Sequence, residues 1–119
     1  MTPPPEHEYL FDILDAANLV ASFTDGYTRQ RFLDDSLVQS AVIWQLQIVG
    51  EAVRNLPDSY CASHPSVAWR DMVSMRNLLV HAYKSIDLEI VGTVIEKYLP
   101  EAARQIEQIV RVEGSDPGQ

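Results

Sequence analysis

The chain has 119 residues, enough for one domain with a single core. Its apolar content of 46% is ordinary, no apolar run approaches the roughly 18–20 residues of a membrane span, and MTPPPEHEYL lacks the basic-then-apolar pattern of an export signal. The one cysteine, Cys61, cannot form an internal disulfide and fits a reducing, cytoplasmic setting, while a net charge of −8 opposes non-specific binding to nucleic acid. Any nucleic-acid role must therefore rest on a local group of basic side chains or on a partner that supplies charge.

Residues 1–5, with three consecutive prolines, and residues 113–119, polar with Gly and Pro, read as loose tails around a domain spanning 6–112. Within it the periodicity is helical almost throughout. The first helix is expected over Glu6 to Phe23, with Tyr9, Leu10, Ile13, Leu14, Ala17, Val20 and Ala21 forming one apolar stripe that stops at Thr24-Asp25-Gly26. The second starts at Asp34 or Asp35, whose carboxylates can cap free N–H groups, and ends before Pro57. It carries two stripes: Leu37, Ala41, Trp44 and Ile48, and then Val38, Val42, Val49, Val53 and Leu56. A small bundle rarely surrounds one of its own helices on all sides, so the double stripe favours a homodimer built on this helix.

The third helix is expected from about Ser66 to Tyr83, carrying Trp69, Met72, Val73, Leu79 and Val80. Ser85 and Asp87 offer caps for a fourth, from Leu88 to Val112, with Ile90, Val91, Val94, Ile95, Leu99, Ile106, Ile109 and Val110 inward. Pro100 must kink or interrupt it, because the ring removes a donor and clashes with the preceding turn. The fold class is all-α, a bundle of four to five helices.

The stretch MRNLLVHAY, Met75 to Tyr83, sets Arg76, Asn77, His81 and Tyr83 around apolar Leu78, Leu79 and Val80. Asn77 and His81 stack on one face, but Arg76 and His81 diverge by roughly 140° with about 7.5 Å of rise. They converge only if the helix loosens near His81 or if a second subunit brings its own pair across a two-fold axis; the inferred dimer favours the latter. Arg76 offers a permanently charged fork of donors suited to phosphate, and His81 brings an imidazole that can act as general base or general acid. Asn77 could orient the imidazole or donate to an oxyanion. The group suits RNA cleavage without a metal: His81 deprotonates a ribose 2′-OH, which attacks the adjacent phosphate while Arg76 stabilises the developing charge. His7, His64 and His81 show no metal-ligand spacing and no cofactor motif is present. The competing reading is structural, with Arg76 and His81 satisfying carbonyls and the dipole at a helix end, and on spacing alone it is the simpler one.

WRDMVSMRNLLVHAY, followed by SIDLEIVGTVIEKYLP and preceded by LQIVGEAVRNLP, resembles the HepT-like group of the HEPN superfamily, and EYLFDILDAA is similar to that group's first helix. The hallmark is Arg, four to six residues, His, and a Tyr two further on, matched by Arg76, His81 and Tyr83, with Asn77 at the polar position after the Arg. The resemblance implies an all-helical HEPN-type homodimer acting as a metal-independent endoribonuclease toxin, with Arg76 and His81 catalytic at a dimer cleft. It further implies a neighbouring MNT-type nucleotidyltransferase as antitoxin, able to transfer AMP to Tyr83 or to occlude the site. The alternative is a non-catalytic helical binding subunit of that complex. Gly92 stands where the group often has Trp, and Ala68 where a Pro often precedes the Trp. Arg54, Arg70 and Lys84 are the other candidate phosphate contacts. Glu51, in the GEA segment, is expected in an apolar setting, either paired near the site or at the interface.

Overall fold

The computed structural model describes residues 3–114, and all of their regular structure is helical. Helix α1, His7–Phe23, buries Leu10, Ile13, Ala17 and Val20 as its spacing predicts. It ends where the Thr24 hydroxyl donates to the Val20 carbonyl and Gly26 takes a left-handed φ of 75°, a conformation costly for residues with a side chain. A short helix not foreseen from periodicity follows: α2, Arg29–Leu33, is started by the Thr28 hydroxyl accepting from the Arg31 N–H and buries only Phe32. Five residues are too few for an amphipathic stripe to show.

Helix α3, Ser36–Arg54, begins as expected, with the Asp35 carboxylate accepting from the Val38 N–H at 3.1 Å. Its two stripes differ in burial at their extremes, with Val38, Ala41 and Ile48 in between. Val42, Val49 and Val53 are core, whereas Leu37 is 80% and Trp44 61% exposed. After α4, Asp58–Ala62, helix α5 runs Trp69–His81, starting three residues later than expected. The loop before it is held by the Trp69 indole N–H donating to the His64 carbonyl, which keeps Ser66 out of the helix.

Asp87 caps α6, Leu88–Thr93, accepting from the Glu89 and Ile90 N–H groups. The Pro100 joint is resolved without a break. A π-helical turn, Val94–Tyr98, links α6 to α7, Leu99–Gly114, and the Leu99 N–H reaches back five residues to the Val94 carbonyl. Widening the helix before the proline relieves the clash of its ring with the preceding turn. Ile90 and Val80, expected inward, are 50% and 37% exposed.

Helix α3 packs along α1 on one side and α5 on the other, and α7 returns along α1. The expected domain end at Val112 falls short, because α7 continues to Gly114 and Glu113 is part of the packing. Its carboxylate accepts from His7 Nε2 at 2.8 Å, the Tyr60 hydroxyl at 2.6 Å and His64 Nε2 at 2.7 Å, which ties α1, α4 and the following loop to the end of α7. Burial pushes the Glu113 carboxyl up, but the hydrogen bonds from Tyr60, His7 and His64 outweigh it and hold the group below the usual range. Residues 115–119 of the expected tail lie outside the described residues.

Candidate active site

Arg76 is placed by a glycine. A Cβ built on Gly50 would stand 2.1 Å from the Arg76 Cβ and 2.8 Å from the Met72 carbonyl oxygen, so α3 and α5 cross with no side chain between them. The guanidinium then meets Glu51, the residue that follows Gly50 on α3. Its Nη2 lies 3.3 Å from Glu51 Oε2, and its Nη1 donates to Asn77 Oδ1 at 3.0 Å. Arg54 Nη1 donates to the same Glu51 oxygen at 3.4 Å. Glu51 is therefore not in the apolar setting expected of it: its side chain is 52% exposed, against 21% for Arg76. The crossing turns it outward, toward the two arginines and water.

Glu51 follows Trp44 by seven residues and the partly buried Ile48 by three, so on a helix it continues the stripe that begins with exposed Leu37 and Trp44. The Arg76–Glu51 pair thus sits at the end of the α3 face that carries Leu37 and Trp44.

His81 is elsewhere. It is the last residue of α5, exposed, and its side chain makes no hydrogen bond or ion pair with any described residue. Arg70, Ser74 and Asn77 are also exposed, and their spacing puts them in one row with His81, about 16 Å long for eleven residues of helix. Arg70 shares a shallow cleft with Arg54 at the start of α5, where Asp58 and Asp71 also stand. The structure accordingly brings Arg76, Asn77, Glu51 and Arg54 together, sets Arg70 beside Arg54, and leaves His81 apart from Arg76. The helix does not loosen before His81: it stays α-helical to that residue. A 3-10 turn, Tyr83–Ser85, follows, with Lys84 exposed. The Tyr83 side chain lies outside the described residues.

An apolar cleft of about 360 Å³ between α3, α5 and α7 is walled by Leu46, Met72, Met75, Tyr98 and Leu99, and neither Arg76 nor His81 lines it. It is separate from this site. Among the described residues no group of three or more His, Cys, Asp or Glu side chains is arranged to hold a metal, and no helix is long and apolar enough to cross a membrane. At Gly92, a Cβ would meet the Arg29 Nε at 2.8 Å. The space over that glycine holds the Arg29 guanidinium, which bridges Glu89 and Glu96 at 2.9 and 2.7 Å.

Two parts of this arrangement were not read from the sequence. Gly50 had a visible signal, since a glycine inside a helix costs about 1 kcal/mol and calls for a packing reason. The Glu113 cluster had none, because its histidines lie 106 and 49 residues away along the chain.

The model of the "Ribonuclease HepT-like" family matches residues 13–109, which include all of α3 and α5. The chain is 37% identical over 109 residues to "Putative RNase MJ0127" of Methanocaldococcus jannaschii, covering 91% of this chain and 90% of that protein. It is 35% identical over 102 residues to "Probable ribonuclease HepT" of Thermococcus cleftensis, covering 86% and 93%. With "Putative RNase TTE0752" of Caldanaerobacter subterraneus subsp. tengcongensis it shares 32% over 112 residues, covering 94% and 97%. No solved structure matches the chain. An all-α fold carrying Arg76 and His81 on α5 and Tyr83 in the turn that follows, matched by the family model over most of its length, places this chain in the HepT-like ribonuclease family.

Proposed function

We propose that this chain is a metal-independent endoribonuclease, the toxin of a toxin–antitoxin pair, and that it works as a homodimer joined through the exposed stripe of α3. The observation that carries this is the position of Arg76, held over Gly50 beside Glu51 at the end of that stripe. A second copy docked on Leu37 and Trp44 lies next to Arg76, and supplies across a two-fold axis the convergence with His81 that one straight α5 forbids.

In the reaction, His81 takes the proton from a ribose 2′-OH and the 2′-oxygen bonds to the adjacent phosphorus. Arg76, four-fifths shielded from water, stabilises the extra negative charge on the phosphoryl oxygens. The bond to the 5′-oxygen breaks, and that oxygen takes up a proton from water or from the His81 imidazolium of the second copy, leaving a 2′,3′-cyclic phosphate and a 5′-hydroxyl. Asn77, bonded to Arg76, positions the guanidinium. Lys84 and Arg70, beyond the two ends of the pair, hold flanking phosphates.

Control falls to an MNT-type nucleotidyltransferase. Tyr83 follows His81 by two residues, so an AMP group joined to its hydroxyl sets an anion beside the catalytic histidine, where the arginines of the site can bind it. A second reading, a non-catalytic subunit of the nucleotidyltransferase complex, has the separation of Arg76 from His81 in its favour.

Expression of wild type, Arg76→Ala and His81→Ala in bacteria without the partner separates the two. Growth arrest and EDTA-resistant RNA cleavage are expected for wild type alone, read by RNA sequencing. Equal toxicity of all three sinks the catalytic assignment. Co-expression with the nucleotidyltransferase should add the mass of AMP to the Tyr83 peptide; neutralisation without it points to occlusion.

A further inference from the structure

The two arginines beside Glu51 have a geometry that the catalytic reading does not need. Arg54 and Arg76 come from different helices, yet both aim an Nη at the one oxygen Glu51 Oε2, at 3.4 and 3.3 Å. Two guanidiniums around one anionic oxygen is the arrangement that grips a phosphate, whose non-bridging oxygens accept from planar forks. Here a carboxylate stands in that place. The geometry points to an RNA phosphodiester subsite formed by Arg54 and Arg76, which Glu51 occupies in the free protein as a removable internal anion. The inference rests on the ribonuclease reading for its ligand, and adds to it a subsite and a control on filling it.

Three features make Glu51 removable. Its side chain is half in water, so it can swing out without burying or stranding a charge. Its ion pairs are partly exposed and lie near the outer limit of contact distance, where such pairs are weak and screened. Its backbone stays fixed, with the Glu51 carbonyl accepting from the Asn55 side chain at 3.0 Å, so release requires only side-chain rotation. Arg54 also borders the shallow cleft shared with Arg70, where Asp58 and Asp71 stand as well. Arg76 has a reason to keep a counterion when no RNA is bound, since its guanidinium is the most shielded of the three side chains. Glu51 thus keeps the paired arginines from holding the wrong anion, at the expense of affinity for the right one.

The test uses the full chain and a 2′-O-methyl RNA oligonucleotide, which binds but offers no 2′-hydroxyl for attack. Affinity is measured against salt for wild type, Glu51→Gln and Arg54→Ala, with cleavage of unmodified RNA followed in parallel. Glu51→Gln should bind roughly three- to fivefold more tightly, the range expected when one partly exposed opposing charge is removed. Arg54→Ala should bind more weakly, with the slope of log K against log salt reduced by about 0.7, one phosphate contact on a single strand. Weaker or unchanged binding by Glu51→Gln overturns the gate, and cleavage by wild type in the same samples then leaves the ribonuclease reading standing. Tightening by Glu51→Gln with no cleavage by wild type upholds the subsite and removes the nuclease. An unaltered salt slope in Arg54→Ala overturns the subsite.

Discussion

Gly50→Ala tests whether the α3–α5 crossing sets the site. At an exposed helical position the change would stabilise, because alanine is favoured over glycine by about 1 kcal/mol. Here the added carbon falls 2.1 Å from the Arg76 Cβ, where ordinary contact begins at 3.4 Å, and 2.8 Å from a backbone carbonyl on the same helix. Neither neighbour is a flexible end, so α5 itself must move away by about 1.3 Å. Overpacking of this kind costs about 1–3 kcal/mol. After the propensity gain, a net loss of up to about 2 kcal/mol remains, read as a lower urea midpoint with an unchanged slope. The effect on cleavage should be larger than that on stability, since a displacement near 1 Å of a positioned group can cost about 10²-fold in rate. A Gly50→Ala protein that is more stable than wild type and cleaves RNA at the same rate would refute the reasoning.

Gly92→Ala is the matched control: its Cβ meets only the far end of Arg29, which can swing aside, so stability should stay within about 1 kcal/mol of wild type by urea denaturation. Glu113→Ala strands buried His7 and the Tyr60 hydroxyl without their acceptor and should cost about 2–3 kcal/mol. Because the folded Glu113 carboxyl lies below its unfolded value, its contribution is fully present above the unfolded pKa, near 4.3, and fades as pH falls through the folded one. The stability gap between wild type and Glu113→Ala should therefore close on acidification below about pH 4, measured by denaturant titration. Leu37→Glu with Trp44→Glu, on the most exposed apolar positions of α3, should leave the fold intact, give a monomer by sedimentation, and abolish cleavage. A dimer of unchanged affinity would move the interface elsewhere.

Much of the fold was legible because long helices write their own pattern. The Asp35 and Asp87 caps, the α1 stripe and the separation of the α3 stripes followed from spacing alone, since each depends on neighbours within one helix. Elements that hang on distant contacts were not legible. Helix α2 is too short for periodicity and is held by its Thr28 cap and buried Phe32. The end of α7 is fixed by donors from α1, α4 and the loop after α4, all distant along the chain, so Glu113 read as tail. Pro100 marked the right place for a joint, but a π turn before it could not be told from a break. At the site, the pattern named candidate residues, and α5 stays α-helical from Arg76 to His81, as the wheel that separates them assumes. It could not show that Gly50 turns Glu51 outward against two arginines, because that depends on where α5 crosses α3.

The acidic charge of the chain, at first a mark against RNA, becomes less of an obstacle once eight of its nine basic side chains are placed. Of nine Lys and Arg residues, Arg29 and Arg104 are engaged by carboxylates away from the site, Arg31 lies over the Tyr27 ring and Lys97 over the Tyr98 ring. Arg54, Arg70, Arg76 and Lys84 all belong to α3, α5 or the turn that follows α5. The negative surplus therefore falls mostly on the rest of the molecule, and it discourages a strand from settling anywhere except along α5. A nuclease that must release its product gains from this. Binding spread over many cations would be tight and unspecific, whereas a few cations on an acidic body give weak, salt-sensitive binding concentrated along α5. The internal Glu51 carries the same logic into the site itself, so that only an anion able to engage Arg54 and Arg76 together displaces it.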